Sequence, residues 1–258
     1  MERASDPIAP AVASALQWWA DAGVDVMVDE TPRDWLRAKE STILRSSRAQ
    51  SRDVRDEPVP APPDFARDAR GGERLPDQLD LFQAWLRDHD ALPYASPAAP
   101  RVCPSGDPAS GLMILTDMPA AEDCGAGTLL SGAAGRLFDR MLAAIGRDRG
   151  SIYLASLSCF RSPDGRLSGP HGSQCATLAR HHIGLAAPKA LLLFGDAPAK
   201  ALLGMGMGQA RGRWHEVATH AGPIRTIVTL PPDLLLKQPS AKAHAWADLQ
   251  SLMQGLQQ

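Results

Sequence analysis

Long apolar runs are missing from the 258-residue chain: no stretch approaches the roughly 18 uninterrupted residues a membrane span requires, so a membrane-embedded protein is excluded as an expectation. Cysteine is scarce, with only Cys103, Cys124, Cys159 and Cys175, and none of the four forms a CxxC or CxxH pair. A zinc site is therefore not expected, and reduced, isolated thiols are. Charge of one sign is lacking too, because 27 Lys and Arg stand against 29 Asp and Glu. A surface coated in positive charge is ruled out, although a basic cluster on one face is not. The opening "MERASDPIAPAVASALQWW" has no continuous apolar segment followed by a cleavage site, so no leader peptide and a cytoplasmic address are expected. The stretch "LTDMPAAEDCGAG", placed where an α/β protein usually keeps its chemistry, likewise has no Gly-rich fingerprint and no nucleophile-base pair.

What is present falls into three stretches. Residues 1–37 carry Trp18, Trp19 and Trp35, with Val12, Leu16 and Trp19 at helical spacing, and read as a helical arm whose aromatic surface must dock on something. Residues 38–74 are rich in Arg, Ser, Asp and Pro with almost no periodic apolar positions, and read as a disordered linker. From 75 to 258 the chain becomes a domain. Leu79, Phe82 and Leu86 form one helical stripe. Then "GLMILTD", "SIYLASL", "KALLLFGD" and "IRTIVT" read as strands. Between and after them "GAAGRLFDRMLAAIG" (capped by Ser131), "SQCATLARHHIGLAA", "APAKALLGM" and "SAKAHAWADLQSLMQGL" read as helices. Alternation of this kind implies a three-layer α/β/α fold around a mainly parallel sheet of about four strands. Ligands of such sheets bind at the carboxyl ends of the strands, which directs attention to the loops at 116–132, 156–172, 195–198 and 229–240.

The succession of "LTDMPAAED", "LSGAAGRLFDRMLAAIG", "IYLASL", "PKALLLFGDAPAKALLG", "RGRW" and "LLLKQPSAKAHAWADLQ" across residues 101–254 resembles the uracil-DNA glycosylase superfamily, in particular its iron-sulfur-bearing bacterial branch. The resemblance implies DNA as partner, a flipped base as ligand and hydrolysis of an N-glycosidic bond in base excision repair. It also implies which positions form the base pocket. Asp117 is the acid in register with the family's first-strand loop, followed by Met118 and the retained Pro119. Leu130 stands where the family stacks a phenylalanine on uracil, and Ser156 where an asparagine reads the base edge. Pro231 stands where a histidine stabilises the departing base. A hydroxyl cannot offer the paired donor and acceptor of an amide, and proline has no donor at all.

For DNA contact the resemblance offers Gly132 and Gly135 at a helix start, with helix packing as an equal alternative, and Arg211 of the "RG" turn, with a structural ion pair as its alternative. It also points to Leu235 as a wedge in the "LLLK" loop, and to Lys237 and Lys242 on phosphates. His171, in "LSGPHGSQC", is a candidate to reach the crevice in place of the lost histidine, a solvated loop position being the blander expectation. The neighbours His181 and His182 are expected as a surface pair rather than a metal site. Only Cys159 and Cys175 approximate cluster-ligand positions, so no iron-sulfur cluster or other cofactor is expected. The expected function is a glycosylase-like DNA-binding protein with weak, altered or lost hydrolysis, monomeric, with a possible protein partner for the arm. The alternatives are a non-catalytic scaffold in a repair or replication assembly and, more remotely, a small-molecule-binding protein.

Overall fold

The computed structural model describes residues 75–256. The expectations for the tryptophan-rich arm at 1–37 and the linker at 38–74 lie outside the described residues. Helix α1 (Leu79–Asp88) precedes a six-stranded sheet formed by β1 (Ser105–Gly106), β2 (Leu112–Thr116), β3 (Tyr153–Ser156), β4 (Ala190–Phe194), β5 (Trp214–Thr219) and β6 (Gly222–Thr229). Spatial order is β1-β3-β2-β4-β6-β5. The four inner strands run parallel, with Thr116 opposite Ser156 where β2 and β3 end together. The two outer strands are antiparallel. Those edge strands were not anticipated: β1 has two residues, and on β5 only Val217 is buried, so neither presents an apolar run.

Strands β2 and β4 are buried along their whole length, as parallel strands covered on both faces must be. Side-chain alternation divides them between two cores. Leu112, Ile114, Leu192 and Phe194 face Leu137, Phe138, Met141, Leu249 and Leu252 from α3 (Gly132–Ala144) and α8 (Lys242–Leu256). Met113, Leu115, Leu191 and Leu193 face Cys175, Ala179, Ile183, Ala199 and Leu202 from α4 (Gly169–Ala186) and α5 (Asp196–Leu203). Period-two alternation sends neighbouring residues to opposite faces, so each strand fills both layers at once.

A third, smaller core lies beneath α1, where Phe82 and Leu86 join Leu92, Cys159 and Phe160. Here the histidine pair departs from its expected surface position. His182 is buried, hydrogen-bonded to the Tyr153 hydroxyl at 2.7 Å, and burial pushes its pKa down to about 3, so it is held neutral. His181 is half-buried, with Nε2 2.7 Å from the Pro76 carbonyl. Both rings pack on Phe82, which draws the pair into the seam between α1 and α4. Among the described residues no helix is long and apolar enough to cross a membrane.

Candidate functional site

A cavity of about 1440 Å³ opens at the carboxyl ends of the parallel strands. Its walls come from the loop after β2, the loop before α4, the start of α5 and the helix α7 (Pro232–Lys237) that follows β6. Among the residues lining it are Asp117, Met118, Leu130, Arg161, Pro231, Leu236 and Lys237.

The loop after β2 is held by Asp123, which is 3% exposed. Its two oxygens accept from the Ala120 amide at 3.0 Å and the Ser131 amide at 2.6 Å, so one carboxylate fastens both ends of the turn around the short helix α2 (Ala121–Ala126). Ser131 occupies the N-cap position of α3, but its hydroxyl donates to the Thr128 carbonyl at 2.8 Å instead of bonding the helix. That removes the capping role expected for it. Leu130 adopts φ 53°, a left-handed conformation that costs a non-glycine residue about 1 kcal/mol or more. Arg149 holds it there, donating to the Leu129 carbonyl at 2.9 Å and the Leu130 carbonyl at 2.6 Å.

The two glycines of this segment have different causes. A Cβ on Gly135 would collide with the Leu130 carbonyl oxygen, which is backbone and cannot swing aside, whereas Gly132 sits at φ 61°, a left-handed conformation that favours glycine. Gly135 is buried. Helix packing therefore accounts for it, and a phosphate cradle is not needed to do so.

Asp117 sits just past the end of β2, half-buried, facing the cavity. Its Oδ1 is enclosed and has no hydrogen-bond partner among the described residues. Burial pushes its pKa up to about 6; the nearby Asp233 charge adds to the rise and Arg161 opposes it. The carboxyl thus titrates close to neutrality, where it can take or give a proton. Beside it, the Met118 sulfur receives the Ser162 amide at 3.4 Å, and the Pro119 carbonyl accepts from Arg161 Nη1 at 3.2 Å. Pro119 itself is buried and does not line the cavity.

Other predicted positions are used differently. Ser156 donates its hydroxyl to the Ser158 carbonyl at 2.8 Å and is absent from the cavity wall. Pro231 lines the cavity as the N-cap of α7. Helical phase turns Leu235 inward, 0% exposed within the core, while Leu236 projects at the rim with 42% exposure. Leu235 is therefore a core side chain, and the leucine that this segment leaves exposed at the rim is Leu236. Lys242 is only 5% exposed at the start of α8, too enclosed to lie along a phosphate backbone. Arg211 is engaged by Asp248, which is 2% exposed, through Nε at 2.9 Å and Nη2 at 2.8 Å. Thr229 donates to the same carboxylate oxygen at 2.8 Å. This is the structural ion pair, tying the "RG" turn to α8 and the end of β6. Lys237 is exposed on the cavity rim, 3.9 Å from Asp233.

His171 lies in the first turn of α4, which begins at Gly169, earlier than the expected start. Its ring rests 5.0 Å from that of Tyr94, Nδ1 is 3.3 Å from Gln174 Oε1, and it does not line the cavity.

The thiols do not make a cluster site. Cys159 is hydrogen-bonded with Cys103, an interaction that moves the Cys103 thiol down to about 7 and the Cys159 thiol up. Burial raises Cys175 to about 11, and its hydrogen-bond partner is Ser158. Cys124 is half-buried on α2, and among the described residues no three His, Cys, Asp or Glu side chains come together to hold a metal ion. The donor set of four thiolates that such clusters use does not fit these residues.

Arg161 is the most consequential of the cavity residues that escaped the sequence reading. It lines the wall close enough to act on Asp117, and the only sequence sign of it was an Arg soon after the β3 segment.

Comparison with known proteins agrees with this architecture. The model of the uracil DNA glycosylase superfamily matches residues 103–250. A type-4 uracil-DNA glycosylase from Pyrobaculum aerophilum is 24% identical over 178 residues, covering 66% of this chain and 91% of that protein.

Proposed function

The chain belongs to the uracil DNA glycosylase superfamily, and from that premise we propose that it binds DNA, accepts an extruded nucleotide in the strand-end cavity, and hydrolyses the N-glycosidic bond slowly or on an altered base. The observation that carries this reading is Asp117, whose enclosed Oδ1 has no partner among the described residues and which faces a roomy cavity at the carboxyl end of a parallel strand. Asp117 would orient water toward the sugar or stabilise its developing positive charge. Leu130 and Met118 would pack on the base. Leu236 would fill the gap left in the duplex, and Lys237 would meet a phosphate. Pyrimidine reading is weakened in two places, since the Ser156 hydroxyl is committed to backbone and Pro231 has no donor. Losing one preorganised donor typically costs about 100- to 1000-fold in rate, which is the basis for expecting slow chemistry on uracil.

The same two positions favour a second reading, a glycosylase fold serving as a non-catalytic module in a repair or replication assembly. Purified protein incubated with single- and double-stranded oligonucleotides carrying uracil, hypoxanthine or xanthine distinguishes them by abasic-site formation. Slow release from at least one substrate is expected. DNA binding with no abasic sites on any of them would leave the scaffold reading standing.

A further inference from the structure

Breaking an N-glycosidic bond leaves the bonding electron pair on the base, so a site that performs the reaction must place positive charge or a donor where that pair accumulates. Four cations line the cavity: Arg161, Arg166, Lys200 and Lys237. Lys200 and Lys237 are 65% and 75% exposed and are drawn to acids one turn back, at 2.6 Å from Asp196 and 3.9 Å from Asp233. Arg166 is exposed, and nothing in the structure couples its guanidinium to Asp117.

Arg161 is exposed as well, but it differs in being anchored to the backbone and in acting on Asp117. Its Nη1 donates to the Pro119 carbonyl at 3.2 Å, which fixes the guanidinium against the turn that carries Asp117 and Met118. Among the described residues no carboxylate lies within ion-pair distance of it. Across the cavity Pro231 offers no donor.

Resting on the glycosylase reading above, we propose that Arg161 is a catalytic residue whose guanidinium receives the negative charge of the departing base, while Asp117 serves the sugar side. The C1′–N bond breaks with both electrons going to the base, which leaves as an anion beside Arg161. Water supplies oxygen to the sugar carbon and yields its proton to the Asp117 carboxylate, and the released base is reprotonated from solvent. The balance is one water consumed for one base and one abasic sugar formed. The partial relief that Arg161 gives to the titration of Asp117 shows that its field reaches the same space. A planar, always-charged fork also suits a flat heterocyclic anion better than a lysine ammonium does.

Leaving-group dependence tests this in the full chain. Single-turnover release is measured from oligonucleotides carrying uracil or 5-fluorouracil, for the wild type, Arg161→Gln and Arg161→Lys, with thermal melting to confirm folding. Arg161→Gln is expected to slow uracil release about 100-fold. It should slow release of the more acidic 5-fluorouracil by no more than about tenfold, because that base carries its own charge better. Arg161→Lys is expected to recover part of the loss. Equal losses on both bases, or no loss, would overturn the assignment, since a merely structural role does not sense the acidity of the base.

A binding arm separates this proposal from the function it rests on. Calorimetry compares 5-nitrouracil, an anion at neutral pH, with uracil. The wild type should prefer the anion and Arg161→Gln should not. If no oligonucleotide is cleaved yet the Arg161-dependent preference is found, the glycosylase reading fails and the anion seat at Arg161 stands. No preference in the wild type removes the seat itself.

Discussion

Replacing Asp117 by asparagine should stabilise the protein at neutral and higher pH. The carboxyl has an enclosed oxygen without a partner among the described residues, and burial pushes its pKa up to about 6 from an ordinary 3.8. A carboxyl whose folded value lies above its unfolded one holds more protons in the folded state between the two, so stability falls as pH rises through that window. The penalty is absent below about pH 4, grows between about 4 and 6, and is complete above about 6. At 1.36 kcal/mol per pH unit the interval corresponds to about 3 kcal/mol, and solvent access to a half-buried group reduces this to about 2. For a chain of this size that is a rise of about 4 to 8 °C in melting temperature. Melting of wild type and Asp117→Asn, followed by circular dichroism at about pH 8 and about pH 4, reads the effect directly. The gain should be present at the higher pH and vanish at the lower. A variant that melts at or below the wild type at about pH 8, or whose gain persists unchanged at about pH 4, would refute the reasoning that ionised Asp117 destabilises the fold.

Two further substitutions probe neighbouring parts of the crevice. Leu235→Ala should cost about 2 to 5 kcal/mol in urea unfolding because it empties a core position, whereas Leu236→Ala should change stability by less than about 0.5 kcal/mol while weakening binding to duplex DNA containing an abasic site. The reverse ranking would mean that the α7 phase is misassigned. Asp248→Ala leaves Arg211 without its ion-pair partner and Thr229 without its acceptor, and should cost about 3 to 5 kcal/mol by the same assay.

Legibility followed burial. β2, β3, β4 and β6 could be read because apolar runs mark strands enclosed on both faces, and β5 could not because a solvated edge strand needs only one inward residue, Val217. The loop readings of the segments that carry His171 and Leu235 share a cause. "GPHG" and "PPDLLLK" look like loops from their Gly and Pro content, yet Pro170 and Pro232 stand in the first turns of α4 and α7, where the missing amide hydrogen costs nothing and the fixed φ suits a helix. Once each helix is started there, the 3.6-residue period sends Leu235 into the core and leaves Leu236 at the rim. The contacts by Arg149 and Asp248 had no local signal, because each joins residues about 20 to 40 positions apart whose proximity only the sheet topology creates.

Those long-range ties also explain how the cavity keeps its shape with altered base-reading positions. Asp123 fastens the ends of the β2 loop, Arg149 fixes Leu130 in a left-handed conformation, and Asp248 joins the "RG" turn to the end of β6. None of the three uses Asp117, Ser156 or Pro231. The walls are therefore preorganised by groups that a change of substrate chemistry would leave intact. Shape and chemistry are separable in this site: substitutions at Asp117 or Arg161 should alter reactivity while the cavity persists, whereas removal of Asp123 or Arg149 should loosen both together.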